Sequence, residues 1–356
     1  MTQLKYAIKS LNYSRKEHDL VAFFPSTSSG GAFYRSYMIQ QLLASYIPHV
    51  KVLEYGADEF QSFGAIPIDE AAPLLTAAHF YCATLDCQVG IARQLRDGNK
   101  VLRIVHDMDD NYFVENQNDI RLPDRAYDNI RKMCDLADIL TVTTDRLREA
   151  VWKEYPEKDI RVIPNTIHKP LLDGFFSARK AMSSHFRKLK GKPRVLWVGG
   201  LGHDRDFPLV ESIMQESGDT FEWVLFGNYP PDRIPDGISV ENIPNKDFSE
   251  YWTTLLGLDV DMIINPLDPD ATINQFRSPI KFLETLPLGV PFLTNADWIY
   301  PPADSLKLVD GIEPASWMKA MLEPQRMDSN MTRLHVLEEN RIIADLLPSL
   351  FALGEK

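Results

Sequence analysis

The chain alternates between short continuous apolar runs and longer stretches whose apolar residues recur at helical spacing. Runs of strand length fall at 20–24, 49–54, 79–83, 101–105, 139–143 and 160–163. They resume at 193–198, 221–226, 238–241, 260–264 and 290–294. Between them, helical spacing predicts helices over 32–46, 88–96, 127–136, 144–154, 207–216 and 248–256. A final one covers 331–347, with Leu334, Leu337, Ile342, Ile343, Leu346 and Leu347 on offer for burial and Pro348 as its stop. Runs apolar on both faces suit parallel strands covered by helices, so the expected class is α/β.

One pattern occurs twice. Strand 20–24 leads through Gly30-Gly31 into a helix, and strand 193–198 leads through Gly199-Gly200 into another. The duplication predicts two Rossmann-like, doubly wound domains, 1–170 and 193–330, joined by a basic linker over 171–192. The helix at 331–347 either packs back on the first domain or belongs to the second.

Composition narrows this reading. A length of 356 residues leaves room for two cores, and 44% hydrophobic with 25% charged residues suits a globular protein. No stretch reaches the roughly 20 apolar residues needed to span a bilayer. The first ten residues lack the apolar centre of a signal peptide. Cys82, Cys87 and Cys134, an odd set without metal-site spacing, fit reduced thiols, so a cytoplasmic location is expected. A net charge of −12 argues against a broadly basic nucleic-acid binder. The concentrated basic run, Arg179 to Arg194 with Lys180, Arg187, Lys188, Lys190 and Lys192, reads as a solvated connector or as a strip for phosphates.

Candidate chemistry collects at the predicted strand ends, where α/β folds place ligands. Gly30 and Gly31, with Arg35 one turn on, follow the first strand. His106-Asp107-Met108-Asp109-Asp110 follows the fourth, and its Asp107-Met108-Asp109 is a literal D-x-D, a carboxylate pair suited to Mg²⁺ or Mn²⁺. An acidic loop exposed to water explains the same residues. Gly199 and Gly200, then His203, Asp204 and Arg205, follow the seventh predicted strand. The last cluster is Arg277-Ser278-Pro279-Ile280-Lys281-Phe282-Leu283-Glu284, followed by Gly289-Val290-Pro291. Ser278 is a good N-cap and Pro279 fits the first helical position, so a short helix with Arg277 and Lys281 near its start is expected. That start suits a phosphate, and Glu284 further on suits sugar hydroxyls. An ordinary capped surface helix accounts for the spacing equally well.

The ordered block D-x-x-I-x-P-L, N-x-x-x-S-x-I-K-x-L-E and G-V-P over 261–291 resembles the donor site of GT-B "group 1" glycosyltransferases of bacterial and phage type. The passage 137–167 resembles the end of their N-terminal domain. The resemblance implies two Rossmann-like domains facing a cleft, with a nucleotide diphosphate-sugar, UDP-sugar foremost, as co-substrate. It implies the diphosphate at Gly199, Gly200, Ser278, Ile280, Arg277 and Lys281, with His203, Asp204 and Arg205 beside it and Glu284 on the ribose. It implies His106, Asp107, Asp109 and Asp110 on the catalytic, acceptor side, and Gly30, Gly31 and Arg35 in a loop bordering the cleft, Arg35 toward the phosphates. One departure stands out: where relatives carry a first acidic residue, this chain has Phe276. The implied activity is sugar transfer to an acceptor hydroxyl with retention and without metal; Mg²⁺ or Mn²⁺ enters only if Asp107 and Asp109 act as a D-x-D pair. Two alternatives stay open: a phage-type glycosyltransferase acting on hydroxymethylated pyrimidines in DNA, and a catalytically silent binder of sugar nucleotides or polymers.

Overall fold

The computed structural model describes residues 18–26, 30–54, 72–113, 122–182, 191–200, 203–227, 229, 231–299, 306–323 and 329–354. The chain divides into two compact units, Met1–His168 with Glu338–Lys356, and Lys169–Leu337.

The first unit is built on a six-stranded parallel sheet in the order β2-β1-β3-β4-β5-β6. Its strands are β1 (Asp19–Pro25), β2 (Val50–Glu54), β3 (Ala77–Tyr81), β4 (Arg103–Met108), β5 (Ile139–Val142) and β6 (Asp159–Val162). Among the described residues, four α-helices lie between them. The first, α1, runs over 30–46 and opens into a π-turn at Phe33–Tyr37. Next come α2 (Asp86–Gly98), α3 (Asp124–Leu136) and α4 (Asp145–Glu154). β1 and β3 are buried along their whole length, as strands covered on both faces must be. Thr144 caps α4 by accepting a hydrogen bond from the Leu147 amide.

The second unit repeats the plan with the order β12-β11-β10-β7-β8-β9, again all parallel. Along the chain between β6 and β7 runs α5 (Lys169–Met182), so residues 171–182 of the stretch expected to be a connector are helical, and 183–190 lie outside the described residues. Then come β7 (Arg194–Gly199), α6 (Phe207–Ser217), β8 (Glu222–Gly227), β9 (Val240–Pro244) and α7 (Phe248–Gly257). These are followed by β10 (Met262–Asn265), α8 (Ile280–Thr285), β11 (Phe292–Thr294), β12 (Leu306–Leu308) and α9 (Pro314–Leu322). Trp197, Trp223, Phe207, Phe221 and Trp317 fill its core.

The last helix, α10 (Ser329–Phe351), continues past Pro348 and ends four residues beyond Leu347, the end expected from the sequence. Proline breaks a helix by removing an amide from its interior, and near the final turn few bonds remain to lose. Ile343, Leu347, Leu350 and Phe351 pack into the first unit's core with Val21 and Phe23. At about 1.5–3 kcal/mol per buried apolar side chain, these four anchor the helix end firmly. Among the described residues, no helix is long and apolar enough to cross a membrane.

Candidate functional site

In a doubly wound sheet, a crevice opens where consecutive strands leave in opposite directions from the first one. In the first unit this switch point lies between β1 and β3; in the second, whose order reads 3-2-1-4-5-6, it lies between β7 and β10. Each crevice carries its own polar cluster.

The first begins at the start of α1. A Cβ on Gly31 would lie 2.0 Å from the Tyr81 hydroxyl and 3.0 Å from Asp109 Oδ2, so only glycine allows this approach. Tyr81 donates its hydroxyl proton to Asp109 Oδ2 at 2.5 Å, and Tyr112 donates to Oδ1 at 2.9 Å. The Cys82 thiol donates in turn to the Tyr112 oxygen at 3.1 Å. Cys82 holds φ at 43°, a left-handed conformation that costs a non-glycine residue about 1–3 kcal/mol and concentrates at functional sites. Burial pushes the Asp109 carboxyl above its ordinary range, against the opposing effect of the two phenols. Burial and the neighbouring Asp109 charge push both phenols far upward, so they remain donors.

Behind Asp109 lies a buried ion pair. The π-turn presents Arg35, whose Nε and Nη2 donate to Asp107 at 2.7 and 2.6 Å. Nη1 donates to the Ile163 carbonyl and to Asn165 Oδ1, and the Thr141 hydroxyl donates to Asp107 Oδ1. Arg35 and Asp107 are 1% and 0% exposed. Arg35 therefore sits inside the unit, away from any surface where the sequence reading placed a phosphate. A carboxylate inside a sheet needs a cation, and Arg35 is the one that reaches it. Burial alone would raise the Asp107 carboxyl, but the Arg35 charge and hydrogen bonds outweigh it and hold the carboxyl low. With both oxygens engaged, Asp107 has none turned outward for a D-x-D metal pair.

His106 also lies inside. Adjacent strand residues point to opposite faces, so His106 and Met108 face α3 while Asp107 and Asp109 share the other side. The Ala83 amide donates to His106 Nε2 at 3.3 Å, and Cys134 Sγ lies 3.5 Å from Nδ1. Burial pushes the imidazole down to about 3, so it is neutral. Of the four acceptor-side candidates, Asp109 and Asp110 keep partial exposure at the strand end.

The second cluster joins residues that follow β7 with residues that follow β10. His203, 5% exposed, places Nδ1 2.7 Å from Asp206 Oδ2 and Nε2 2.9 Å from Arg277 Nη1. Arg277 Nε donates to Asn274 Oδ1 at 2.6 Å, and Asn274 Nδ2 donates to Asp206 Oδ1 at 2.7 Å. The Asp268 amide donates to the same Asp206 oxygen at 2.8 Å, fixing the loop after β10. Burial, then the Arg277 charge, push His203 down to about 4. Lys281 contributes to the same depression, which puts its charge within reach of this cluster.

On α8, the buried Glu284 accepts hydrogen bonds at Oε2 from Tyr251 at 2.8 Å and from Lys281 at 3.2 Å. Tyr251 stacks on Phe226, which holds the phenol in place. The helix begins at Ile280, one residue later than expected, because Pro279 at ψ 33° leaves the helical range. The Ser278 carbonyl accepts from the Ile280 amide at 2.8 Å. Asp204 is exposed, and Arg205 pairs with Asp268. Gly199 packs against the Trp197 ring and, in register, against Gly227, where a Cβ would lie 1.7 Å from the Gly199 carbonyl oxygen. The glycines at this strand end are therefore also demanded by packing. Gly200 and Gly30 have open space where a Cβ would stand.

Several partners in these clusters escaped the sequence reading, among them Tyr81, Tyr112, Thr141, Asp206, Asn274 and Tyr251. Asp206 was signalled by its place three residues after His203, and Asn274 by its place three before Arg277; both spacings bring side chains together across one turn. The tyrosines carried no such signal.

No protein-family model matches the chain, and no curated protein matches it by sequence. Solved structures do match its fold. HepE of Anabaena in complex with UDP and glucose aligns at TM-score 0.58 and 11% identity, over 93% of this chain and 100% of that one. An alpha-glucosyltransferase in complex with UDP-glucose and DNA aligns at 0.55 and 11%, over 93% and 95%. The UDP-GlcNAc 2-epimerase of Neisseria meningitidis, bound to UDP-GlcNAc, aligns at 0.54 and 13%, over 93% and 100%. Two Rossmann-like units with parallel six-stranded sheets and alignments of this length identify the chain as having the GT-B fold.

Proposed function

We propose that this GT-B chain is a glycosyltransferase that moves a sugar from a nucleotide diphosphate-sugar, UDP-sugar foremost, to an acceptor hydroxyl. The observation that carries the proposal is the cluster at the second unit's switch point, where Arg277 is held by His203 and Asn274 and Lys281 is tied to the buried Glu284. Two cations beside a carboxylate in that crevice match a diphosphate followed by a ribose. Arg277 and Lys281 offset the charge that develops on the leaving phosphate as the glycosidic bond breaks. Glu284, oriented by Tyr251, takes the ribose hydroxyls. No side chain is given the role of nucleophile; the leaving phosphate assists the incoming hydroxyl on the same face, which retains the anomeric configuration.

In the first unit, Asp109 serves the acceptor. Its carboxyl, raised by burial and steadied by two phenols, is suited to accept a hydrogen bond from the attacking hydroxyl. Arg35 and Asp107 hold the strand end that carries it. Support for a duplex-DNA acceptor is thin: within the basic run, Arg179 donates to the Leu256 and Leu258 carbonyls, Lys192 pairs with Asp219, and Arg194 pairs with Glu241. These three cations are committed within the second unit, while Arg187, Lys188 and Lys190 lie outside the described residues.

UDP release from a panel of UDP-sugars, with and without sugar acceptors, tests the reading. Acceptor-dependent release that disappears in Arg277→Ala supports it. Formation of a free epimer without any acceptor would replace it with the epimerase activity known for one of the similar structures. Donor binding with neither reaction would leave a silent binder.

A further inference from the structure

The bonds around Asp206 form a closed ring. From its Oδ2 the path runs through His203 to Arg277 Nη1; from Oδ1 it runs through Asn274 to Arg277 Nε. Both arms end on one guanidinium, and Asp206 itself is 1% exposed.

The donor inventory along the first arm leaves a single protonation pattern. Asp206 is acceptor-only, so His203 Nδ1 must carry a proton; arginine is donor-only, so His203 Nε2 must be bare. Any other form of the ring puts two donors or two acceptors face to face at 2.7 or 2.9 Å. We propose that Asp206 is a positioning residue that fixes His203 as its Nδ1–H tautomer, so that Nε2 accepts from Arg277 and aims the guanidinium at the donor diphosphate. The tautomer relay stands on the ring geometry alone; its purpose rests on the donor-site reading.

Asp206→Asn isolates the effect. The amide oxygen can keep the two bonds from the Asp268 amide and Asn274, while the amide nitrogen turns a donor toward His203. The imidazole then carries its proton on Nε2, donor meets donor, and Arg277 is pushed from its place. The loss belongs to the phosphates alone. UDP affinity is expected to fall about tenfold to a hundredfold, the worth of a hydrogen bond to a charged group, with uridine affinity unchanged. Asp206→Glu, which keeps a carboxylate, should recover part of the loss.

The test pairs two readouts on the full chain. Long-range ¹H–¹⁵N correlation, assigned by comparison with His203→Gln, reports the tautomer directly. The proposal expects Nδ1–H in the wild type and Nε2–H in Asp206→Asn, with UDP weakened and uridine spared. An Nε2–H tautomer in the wild type overturns it, and so does Asp206→Asn binding UDP as tightly as the wild type. Equal losses for UDP and uridine reduce Asp206 to a structural residue and also overturn it. Should the wild type bind no UDP, the donor-site reading falls, and the tautomer spectra still decide the relay by themselves.

Discussion

Arg35→Met separates a buried structural cation from a ligand contact. Arg35 makes four hydrogen bonds, two of them to the carboxylate of Asp107, and both residues are almost fully buried. Removing one partner of such a pair leaves a buried charge without compensation and costs about 3–5 kcal/mol. Against a typical domain stability of about 5–15 kcal/mol, that is a large share. Arg35→Met with Asp107→Leu removes both charges and should recover about half or more of the loss.

The pH dependence has a defined sign. In the wild type the Asp107 carboxyl is held low, so its contribution is fully present above the unfolded value near ~3.9 and is lost as pH falls through the native value. In Arg35→Met, burial without the cation raises that carboxyl. The deficit is then greatest at neutral pH and shrinks as acid supplies the proton. Urea unfolding at pH 7.5 and 5.5 measures this. Trp197, Trp223, Trp252, Trp298 and Trp317 all lie within Lys169–Leu337, so tryptophan fluorescence follows mainly the second unit while far-UV circular dichroism follows both. The variant should show an early dichroism transition and an unchanged fluorescence midpoint, with UDP affinity of the folded protein preserved. A stability loss under about 1 kcal/mol, the worth of an exposed pair, together with a collapse in UDP affinity would place Arg35 on the ligand and rule out its role as a buried structural cation.

Other variants probe other links. Gly31→Ala forces the Tyr81 hydroxyl off Asp109; overpacking of about 1–3 kcal/mol and a lower kcat are expected, with the UDP Kd unchanged, by calorimetry and steady-state kinetics. His79 is fully buried between Phe23 and Phe351, and neither ring nitrogen meets a hydrogen-bond partner among the described residues. Burial pushes it down to about 4, below the unfolded value, so stability drains as pH falls from ~6.5 toward that point, by about 1.4 kcal/mol per pH unit. His79→Leu should stabilise the protein by about 1–3 kcal/mol at pH 7 and by more at pH 5, read from denaturant midpoints. Tyr251→Phe removes one donor from Glu284 and should weaken UDP about threefold to tenfold with little change in melting temperature.

The strands were legible because parallel strands buried on both faces read as continuous apolar runs. β12 and α9 were missed for the same reason inverted: Leu306–Leu308 is too short to form a run, and Leu308 is exposed. The basic stretch hid α5, whose Arg179 is turned to the carbonyls ending α7 rather than to solvent, a long-range bond that no local pattern encodes. The last cluster was legible as a motif, but its partners were not. His203 and Arg277 lie 74 positions apart and meet only because β7 and β10 are neighbours at the switch point. Arg35 was misread because its burial depends on a π-turn, one extra residue in a helical turn that spacing rules do not reveal.

In the proposed donor site, the second unit binds a nucleotide diphosphate through Arg277 and Glu284. Thermal unfolding with UDP at a hundredfold excess over Kd should show about 2.7 kcal/mol of added stability in the wild type. The effect should vanish in both Arg277→Ala and Glu284→Ala and persist in Asp109→Asn, whose change lies in the other unit. No stabilisation by any nucleoside diphosphate, or stabilisation untouched by both second-unit substitutions, would contradict the claim.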